Sequence, residues 1–324
     1  MDFFATLGAA CAEQKTLSAL FDEGMTAARI NLSHTTLPAC APLLERFFAA
    51  AAAAGVSPRL VADMQGPELR VGLLEKPAVL LEGREALLGA GGIPVPQSVV
   101  DAAQVGERIS LDDSALLLEV AAKEEDALRC VVRRGGTLLS RKSLAVLGRE
   151  IDAPALTDAD RAALHVAGQY GVTDVLQPFV RGAEDVRTVR QALDWEGLSS
   201  VRVMAKIENR RGVAHLDGIL ASADEICIAR GDLGNAMPLW ELPRMQKEIA
   251  RRCRAANRPF CVATQLLWSM ESRAVPTRAE VLDIYNAVLD GASGLMLTGE
   301  TAAGRYPVEA MRYLVRTARS AIDG

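Results

Sequence analysis

Lys206 and Glu208 stand two residues apart in Lys206-Ile-Glu208-Asn209, and a second acid, Asp232, follows in Ala229-Arg-Gly-Asp-Leu-Gly234. Each acid comes after a short apolar run, Val201–Ala205 before the first and Glu225–Ala229 before the second. Such runs read as buried parallel strands. Two acids leaving adjacent strand ends can share one hard cation, because Mg²⁺ takes a few carboxylate oxygens and keeps positions open for substrate. Lys206 adds a positive charge on the same side as Glu208, since strand side chains repeat with period two. A metal beside a cation suits a substrate that carries or develops negative charge.

The apolar pattern around these residues alternates short strands with longer helices. Strands are predicted at Phe3–Leu7, Ala27–Leu32 and Arg59–Asp63, then at Asp174–Gln177, Val201–Ile207, Glu225–Ala229, Pro259–Ala263 and Gly294–Leu297. Helical patterns separate them, at about 13–22, 41–54, 183–195, 212–222, 240–256 and 278–290, with a last one over 307–322. Thr157-Asp-Ala-Asp160 has capping-box spacing, with Asp where Glu or Gln is usual, and opens a helix to about Tyr170. Three βα units before residue 71 and five after residue 150 make the count of a TIM (β/α)8 barrel. A doubly wound open sheet is the competing arrangement. Residues 71–150 break the rhythm with Gly, Pro and short alternating runs such as Ala78–Leu81, Ala115–Val120 and Leu128–Val132. They read as a small all-β domain inserted after strand 3. The expected division is therefore 1–70 and 151–324 for the barrel, and 71–150 for a β-rich lid that could close over the site and exclude water.

A barrel predicts active-site groups where its strands end. The polar residues there are Asn31, Ser33 and His34; Asp63; Arg181; Lys206, Glu208 and Asn209; Arg230 and Asp232; Thr264 and Gln265; and Thr298 and Glu300. The rest of the composition narrows the classes. Half the residues are hydrophobic and the net charge is -5, with no basic tract longer than Arg251-Arg252 or Arg210-Arg211, so nucleic acid is not an expected partner. The alanine run Ala49–Ala54 is too short for a bilayer, and the amino terminus lacks the basic region of a secretory signal. Six cysteines, Cys11, Cys40, Cys130, Cys227, Cys253 and Cys261, form no CxxC pair. They are expected to be reduced thiols in a cytoplasmic protein, with Cys227 and Cys261 as small strand fillers.

Seven motifs, taken in order, carry a resemblance to a known family. They are Ala28-Arg-Ile-Asn-Leu-Ser-His34, Asp63-Met-Gln-Gly-Pro-Glu-Leu-Arg70, Lys206-Ile-Glu-Asn209, Ala229-Arg-Gly-Asp-Leu-Gly234, Ala263-Thr-Gln265, Pro276-Thr-Arg-Ala-Glu280 and Leu297-Thr-Gly-Glu-Thr-Ala302. Together they resemble pyruvate kinase over essentially the whole chain. Leu111-Asp-Asp-Ser114 and Ser140-Arg-Lys-Ser143 look like degraded motifs of that family's inserted B domain. The resemblance implies a phosphotransferase that converts phosphoenolpyruvate and ADP to pyruvate and ATP through a metal-stabilised enolate. It implies Mg²⁺ (or Mn²⁺) on Glu208 and Asp232, and K⁺ on Asn31, Ser33, Asp63 and the Met64 carbonyl. Glu68 is the residue type that K⁺-dependent members carry. Lys206 would offset the charge of the moving phosphoryl group. Arg29 would clamp phosphate with its planar fork. Thr264 would help deliver a proton to the enolate carbon, through water. Backbone N–H groups of Gly231 and Asp232 would bind the substrate carboxylate. Arg29, Asn31, His34, Arg70 and Lys142 would serve the nucleotide.

The departures from the family's pattern fall on one side of the reaction. Met64-Gln65-Gly-Pro stands where Thr-Lys-Gly-Pro is usual, and Glu300-Thr-Ala-Ala303-Gly where Glu-Thr-Ala-Lys-Gly is usual. Two positive charges near the phosphates are thus replaced. Thr6-Leu-Gly-Ala9, Pro178-Phe179 and Trp268 also depart. The sequence ends at Gly324, so the family's carboxy-terminal domain and its sugar-phosphate regulation are expected to be missing, and any homo-oligomer would form through the barrel. Two alternatives stay open: a metal-dependent lyase or tautomerase of pyruvate or oxaloacetate that needs no nucleotide, and a non-catalytic metabolite-binding paralogue.

Overall fold

Eight parallel strands close on one another in the computed structural model, which describes residues 1–112, 115–149, 151 and 153–323. They are β1 (Asp2–Thr6), β2 (Ala27–Asn31), β3 (Arg59–Asp63), β4 (Asp174–Gln177), β5 (Arg202–Ile207), β6 (Glu225–Ala229), β7 (Phe260–Ala263) and β8 (Gly294–Leu297). Each pairs with its sequence neighbours, and β1 pairs with β8 to complete the barrel. The strands read as unbroken apolar runs because both faces are covered. Phe4, Val61, Leu176, Met204, Cys227, Cys261 and Met296 fill the interior, while Ile30, Leu60, Val203, Ile226 and Leu295 meet the outer helices. Cys227 and Cys261 are register partners in that interior, the filler role expected of them.

The chain divides into two units, Met1–Gly66 with Ala155–Gly324, and Pro67–Pro154. Residues 67–70 and 151–154, assigned to the barrel from sequence, thus fall with the inserted unit. Leu69 and Ile151 pack against the inserted unit's own core, and the Leu144 N–H donates to the Leu69 carbonyl at 2.8 Å. That unit holds a five-stranded antiparallel sheet and a two-stranded one. It is not all β. Gln97–Ala102 is a helix, which the surrounding prolines disguise as a loop. Pro96 sits at its N-cap, where a missing N–H costs nothing, and Val99 and Val100 bury into the unit's core. Asp113 and Ser114, the end of the motif that begins at Leu111, lie outside the described residues.

Two helix starts matter for the site. Thr157 caps Asp158–Ala167, accepting the Asp160 N–H at 3.1 Å, and Asp160 returns a bond from the Thr157 N–H at 2.9 Å. The same buried carboxylate accepts the Gln65 N–H at 2.8 Å and the Gly66 N–H at 3.2 Å, which fixes the segment leaving β3. Asn209 caps Arg210–Ala214 through the Gly212 N–H at 2.7 Å. The helix expected from 212 therefore starts two residues earlier, and it breaks at His215 before Leu216–Ser222.

Gly66 has φ +62°, and a Cβ there would lie 2.2 Å from Pro178 Cγ. Gly66→Ala is expected to destabilise the barrel unit by about 1–3 kcal/mol, from strain and contact together. Urea unfolding checks this; an unchanged midpoint would show that Pro178 gives way freely.

Candidate active site

A lysine and an arginine share one buried aspartate at the carboxyl ends of the strands. Asp63 ends β3 and pairs in register with Asn31 of β2 and Leu176 of β4. Its Oδ2 accepts from Arg29 Nε at 2.7 Å and Nη2 at 2.5 Å. Arg29 Nη1 donates to Thr6 Oγ1 at 3.0 Å, so the guanidinium is fixed by β1 and β3 while each terminal nitrogen keeps a second N–H. Asp63 Oδ1 lies 3.3 Å from Lys206 Nζ and, among the described residues, has no aligned hydrogen-bond partner.

Lys206 Nζ also lies 3.8 Å from Glu208 Oε2. Burial acts to neutralise this ammonium, but the charges of Asp63, Glu208 and Asp232 outweigh burial and the opposing Arg29, so its pKa is raised. It stays charged throughout the physiological range. Glu208 behaves oppositely. Burial, helped by Asp232 and Asp63, pushes its carboxyl up to about 8 against the opposing pull of Lys206 and the Phe179 N–H. Glu208 Oε1 accepts the Phe179 N–H at 2.7 Å; Phe179 is held at φ +53°. Glu208 Oε2 is buried without a hydrogen-bond partner among the described residues. A buried, unmatched carboxylate oxygen beside a second acid is costly unless it meets a proton or a cation. Glu208 and Asp232 therefore suit a divalent ion, although no group of three or more His, Cys, Asp or Glu side chains forms a metal cluster among the described residues.

Asp232 and Gly231 lie in the first turn of Arg230–Asn235, directly after β6, where helix amides have no intrahelical acceptor. Thr264 follows β7 and faces them. A Cβ added at Gly231 would lie 3.7 Å from Thr264 Cγ2 and 3.8 Å from Oγ1. Thr264 has φ +72° and Gln265 φ +53°. For a β-branched residue this costs on the order of 1–3 kcal/mol, and such strain collects at functional sites. Thr264 Oγ1 is buried and has no hydrogen-bond partner among the described residues. Its carbonyl accepts from Arg230 Nε at 3.2 Å and Nη2 at 2.7 Å.

The remaining sequence-predicted residues fall in two places. Asn31, Ser33 and Met64 lie with Asp63 at the ends of β2 and β3. Asn31 Oδ1 accepts the Ser33 N–H at 3.1 Å, and the Met64 N–H donates to the Leu176 carbonyl at 3.0 Å. His34 is exposed in the turn after Asn31, and its N–H donates to the Asn31 carbonyl at 3.3 Å. Arg70 and Lys142 belong to the inserted unit. There Arg70 pairs with Glu68 and donates to the Arg141 carbonyl at 2.7 Å, and Lys142 pairs with Asp112 at 2.8 Å.

The barrel domain model of pyruvate kinase matches residues 1–311. The chain belongs to the pyruvate kinase family. It is 38% identical over 315 residues to a pyruvate kinase of Aeropyrum pernix, covering 96% of this chain and 69% of that one. It is 37% identical over 318 residues to a pyruvate kinase of Geobacillus stearothermophilus, covering 95% of this chain and 54% of that one. It is 37% identical to a pyruvate kinase of Mycobacterium tuberculosis over 320 residues, 96% of this chain and 68% of the relative. The chain thus spans between about half and two thirds of the length of these relatives.

Three of the departures from the pyruvate kinase pattern reach solvent. Ala303 is exposed after Gly299–Ala302, Gln65 is half-buried after β3, and Trp268 is 62% exposed. The motifs did not point to three contributors: Thr6 behind Arg29, the Phe179 amide on Glu208, and Arg230 on the Thr264 carbonyl. Thr6 and Phe179 lie in segments noted only as departures, while Arg230 lies inside a matching motif, where its type gave the signal: a guanidinium at a strand end needs acceptors.

Proposed function

We propose that this protein is a pyruvate kinase-type phosphotransferase acting on phosphoenolpyruvate and ADP. The observation that carries this reading is the buried Lys206–Glu208 pair, with its unmatched carboxylate oxygen beside Asp232. The bond from phosphorus to the enol oxygen breaks, and a bond from phosphorus to a terminal ADP oxygen forms. The enolate left behind takes a proton at its methylene carbon, giving pyruvate.

Lys206, held charged by three acids, neutralises the phosphoryl group as it moves. Arg29 offers its remaining N–H groups to phosphate from a frame fixed by Asp63 and Thr6. Amides of Gly231 and Asp232 orient the substrate carboxylate. Thr264, opposite Gly231, hands a proton to carbon through water. Mg²⁺ or Mn²⁺ held by Glu208 and Asp232 would supply charge stabilisation for the enolate oxygen. Asn31, Ser33, Asp63 and the Met64 carbonyl are the oxygens proposed for K⁺; the unaligned Asp63 Oδ1 supports that assignment. Arg29, Asn31, His34, Arg70 and Lys142 are assigned to the nucleotide. The cytoplasm is the proposed compartment, in keeping with six free cysteines. No helix among the described residues is long and apolar enough to cross a membrane. Any homo-oligomer is proposed to form through the barrel unit, which exposes apolar side chains such as Leu239 and Trp240.

The test is direct. Purified protein with Mg²⁺ and K⁺ is given phosphoenolpyruvate and ADP, and pyruvate is followed. Turnover is expected. Oxaloacetate decarboxylation without any phosphoenolpyruvate turnover would replace this reading with a nucleotide-free lyase.

Metal binding has its own signature. Glu208, pushed up to about 8, carries a proton at pH 7 that a cation must displace. Mg²⁺ titration by calorimetry, in buffers of different ionisation enthalpy, should show about one proton released per ion at pH 7 and none near pH 9.5. Affinity should fall as pH drops from 8 to 6, because protons then compete. Glu208→Gln should abolish the proton release; release that survives would remove Glu208 from the metal site.

A further inference from the structure

Two consecutive residues without the freedom of glycine, Thr264 and Gln265, hold left-handed backbones at the end of β7. Strain of this kind persists only where the surroundings over-determine it. One side chain does so here. Arg230 places Nε and Nη2 on the single Thr264 carbonyl, at 3.2 and 2.7 Å. Its remaining terminal nitrogen, Nη1, donates to Asp283 Oδ2 at 2.6 Å. Arg230 is only 11% exposed.

Asp283 sits on Arg278–Leu289, a helix already tied to the same loop. Glu280, in the first turn of that helix, accepts the Ser269 N–H at 2.7 Å and the Ser269 hydroxyl at 2.6 Å. Glu300 accepts the Leu267 N–H at 3.0 Å. The bonds from Glu280 and Glu300 fix residues 267–269. Neither reaches Thr264, whose carbonyl is left to Arg230.

We propose that Arg230, anchored by Asp283, is a positioning residue that holds Thr264 in its left-handed backbone and so keeps the Thr264 side chain against Gly231. Arg230 immediately precedes Gly231 and Asp232. The clamp therefore sets the distance between the end of β6, which carries the carboxylate-binding amides, and the end of β7, which carries the hydroxyl. Without it, Thr264 relaxes toward a negative φ, and its hydroxyl swings off the line to the substrate carbon. What the hydroxyl does there rests on the pyruvate kinase reading above; the geometric part does not.

The test uses Arg230→Met, and Asp283→Ala as a second variant. Asp283 is 34% exposed on its helix, so its loss leaves the core intact. Crystal structures of both variants should show Thr264 out of the left-handed region. In the kinetic arm, Arg230→Met should lower kcat by roughly 30-fold, within the range of proton-transfer contributions. The KM for phosphoenolpyruvate and the affinity for Mg²⁺ should stay within about twofold, since the metal carboxylates are untouched. Exchange of pyruvate methyl protons with deuterated water should fall in parallel with kcat. Arg230→Met combined with Thr264→Ala should be no slower than Thr264→Ala alone, because Arg230 acts through Thr264. Losses that multiply in the double variant would overturn the proposal, as would Thr264 keeping a positive φ in both crystal structures. If the unmodified protein turns over no phosphoenolpyruvate, the functional reading fails, and the crystallographic arm alone decides the clamp.

Discussion

Lys206→Met is expected to lower kcat for pyruvate formation from phosphoenolpyruvate by about 10³-fold, the scale of losing one preorganised charge at a transferring phosphoryl group. Methionine keeps the length and apolar stem of the side chain but removes the ammonium. That ammonium lies 3.3 Å from Asp63 Oδ1 and 3.8 Å from Glu208 Oε2, and nothing else described bonds to either oxygen. Asp63 keeps Arg29, so its charge stays matched. Glu208 loses the one positive charge acting to lower its pKa, and it should hold its proton to higher pH. Mg²⁺ binding is therefore measured above pH 9, where it should persist, because a divalent ion no longer faces Lys206. Steady-state kinetics at saturating metal then isolates the phosphoryl step. A kcat within threefold of the unmodified protein would remove Lys206 from the mechanism.

Much of this site was legible because its residues sit at strand ends, and strand ends were legible from apolar runs. Asp174–Gln177, Glu225–Ala229 and Gly294–Leu297 have the bounds the sequence predicts, since each is buried on both faces and bordered by turn residues. The helix Gln97–Ala102 was missed because a one-and-a-half-turn segment after Pro94 and Pro96 has too little length to show a period. The double role of Asp160 could not be read either. Its capping spacing was visible, but its bonds to Gln65 and Gly66 cross 95 and 94 residues of chain. The Arg230 clamp escaped for a related reason. Its acceptors, Thr264 and Asp283, both come from the next βα unit, 34 and 53 residues along the chain, and side chain-to-carbonyl bonds leave no mark on residue type at the acceptor. The spacing of acids and a lysine located the buried charges at the strand ends. The bonds that aim those groups came only with the fold.

Arg59→Met should produce the largest loss of stability, about 3–5 kcal/mol, which for a chain of this size lowers the melting temperature by on the order of 10 °C. Arg59 opens β3 at the end of the barrel opposite Lys206. Its guanidinium donates to Asp174 Oδ1 at 2.6 Å and Oδ2 at 3.2 Å, to Asp2 Oδ2 at 2.6 Å and to Glu225 Oε2 at 2.8 Å. It also stacks 5.1 Å above the Phe4 ring that fills the barrel interior. Asp174 and Glu225 are almost fully buried, so removing Arg59 leaves charge in the core with only Arg202 nearby. The two ends of the barrel thus differ in kind. Around Arg59 the cation meets three acids with aligned bonds, which is the structural use of a buried charge. Around Lys206 two acid oxygens lack aligned partners among the described residues, the arrangement expected of the substrate and metal site proposed above. The Arg59 deficit should also depend on pH. Burial already raises Glu225 above the usual carboxylate range, with Arg59 opposing it. Without Arg59 the raised pKa climbs further, and a neutral Glu225 no longer pays for desolvation. For an acid whose folded pKa lies above its unfolded value, the penalty is full above the folded pKa and vanishes below the unfolded one. Across pH 5 to pH 8 the deficit should therefore grow as pH rises, whereas a simple packing loss would not change with pH. Thermal melts of both proteins across that range decide it: a deficit constant from pH 5 to pH 8 would assign the loss to packing over Phe4 and not to charge.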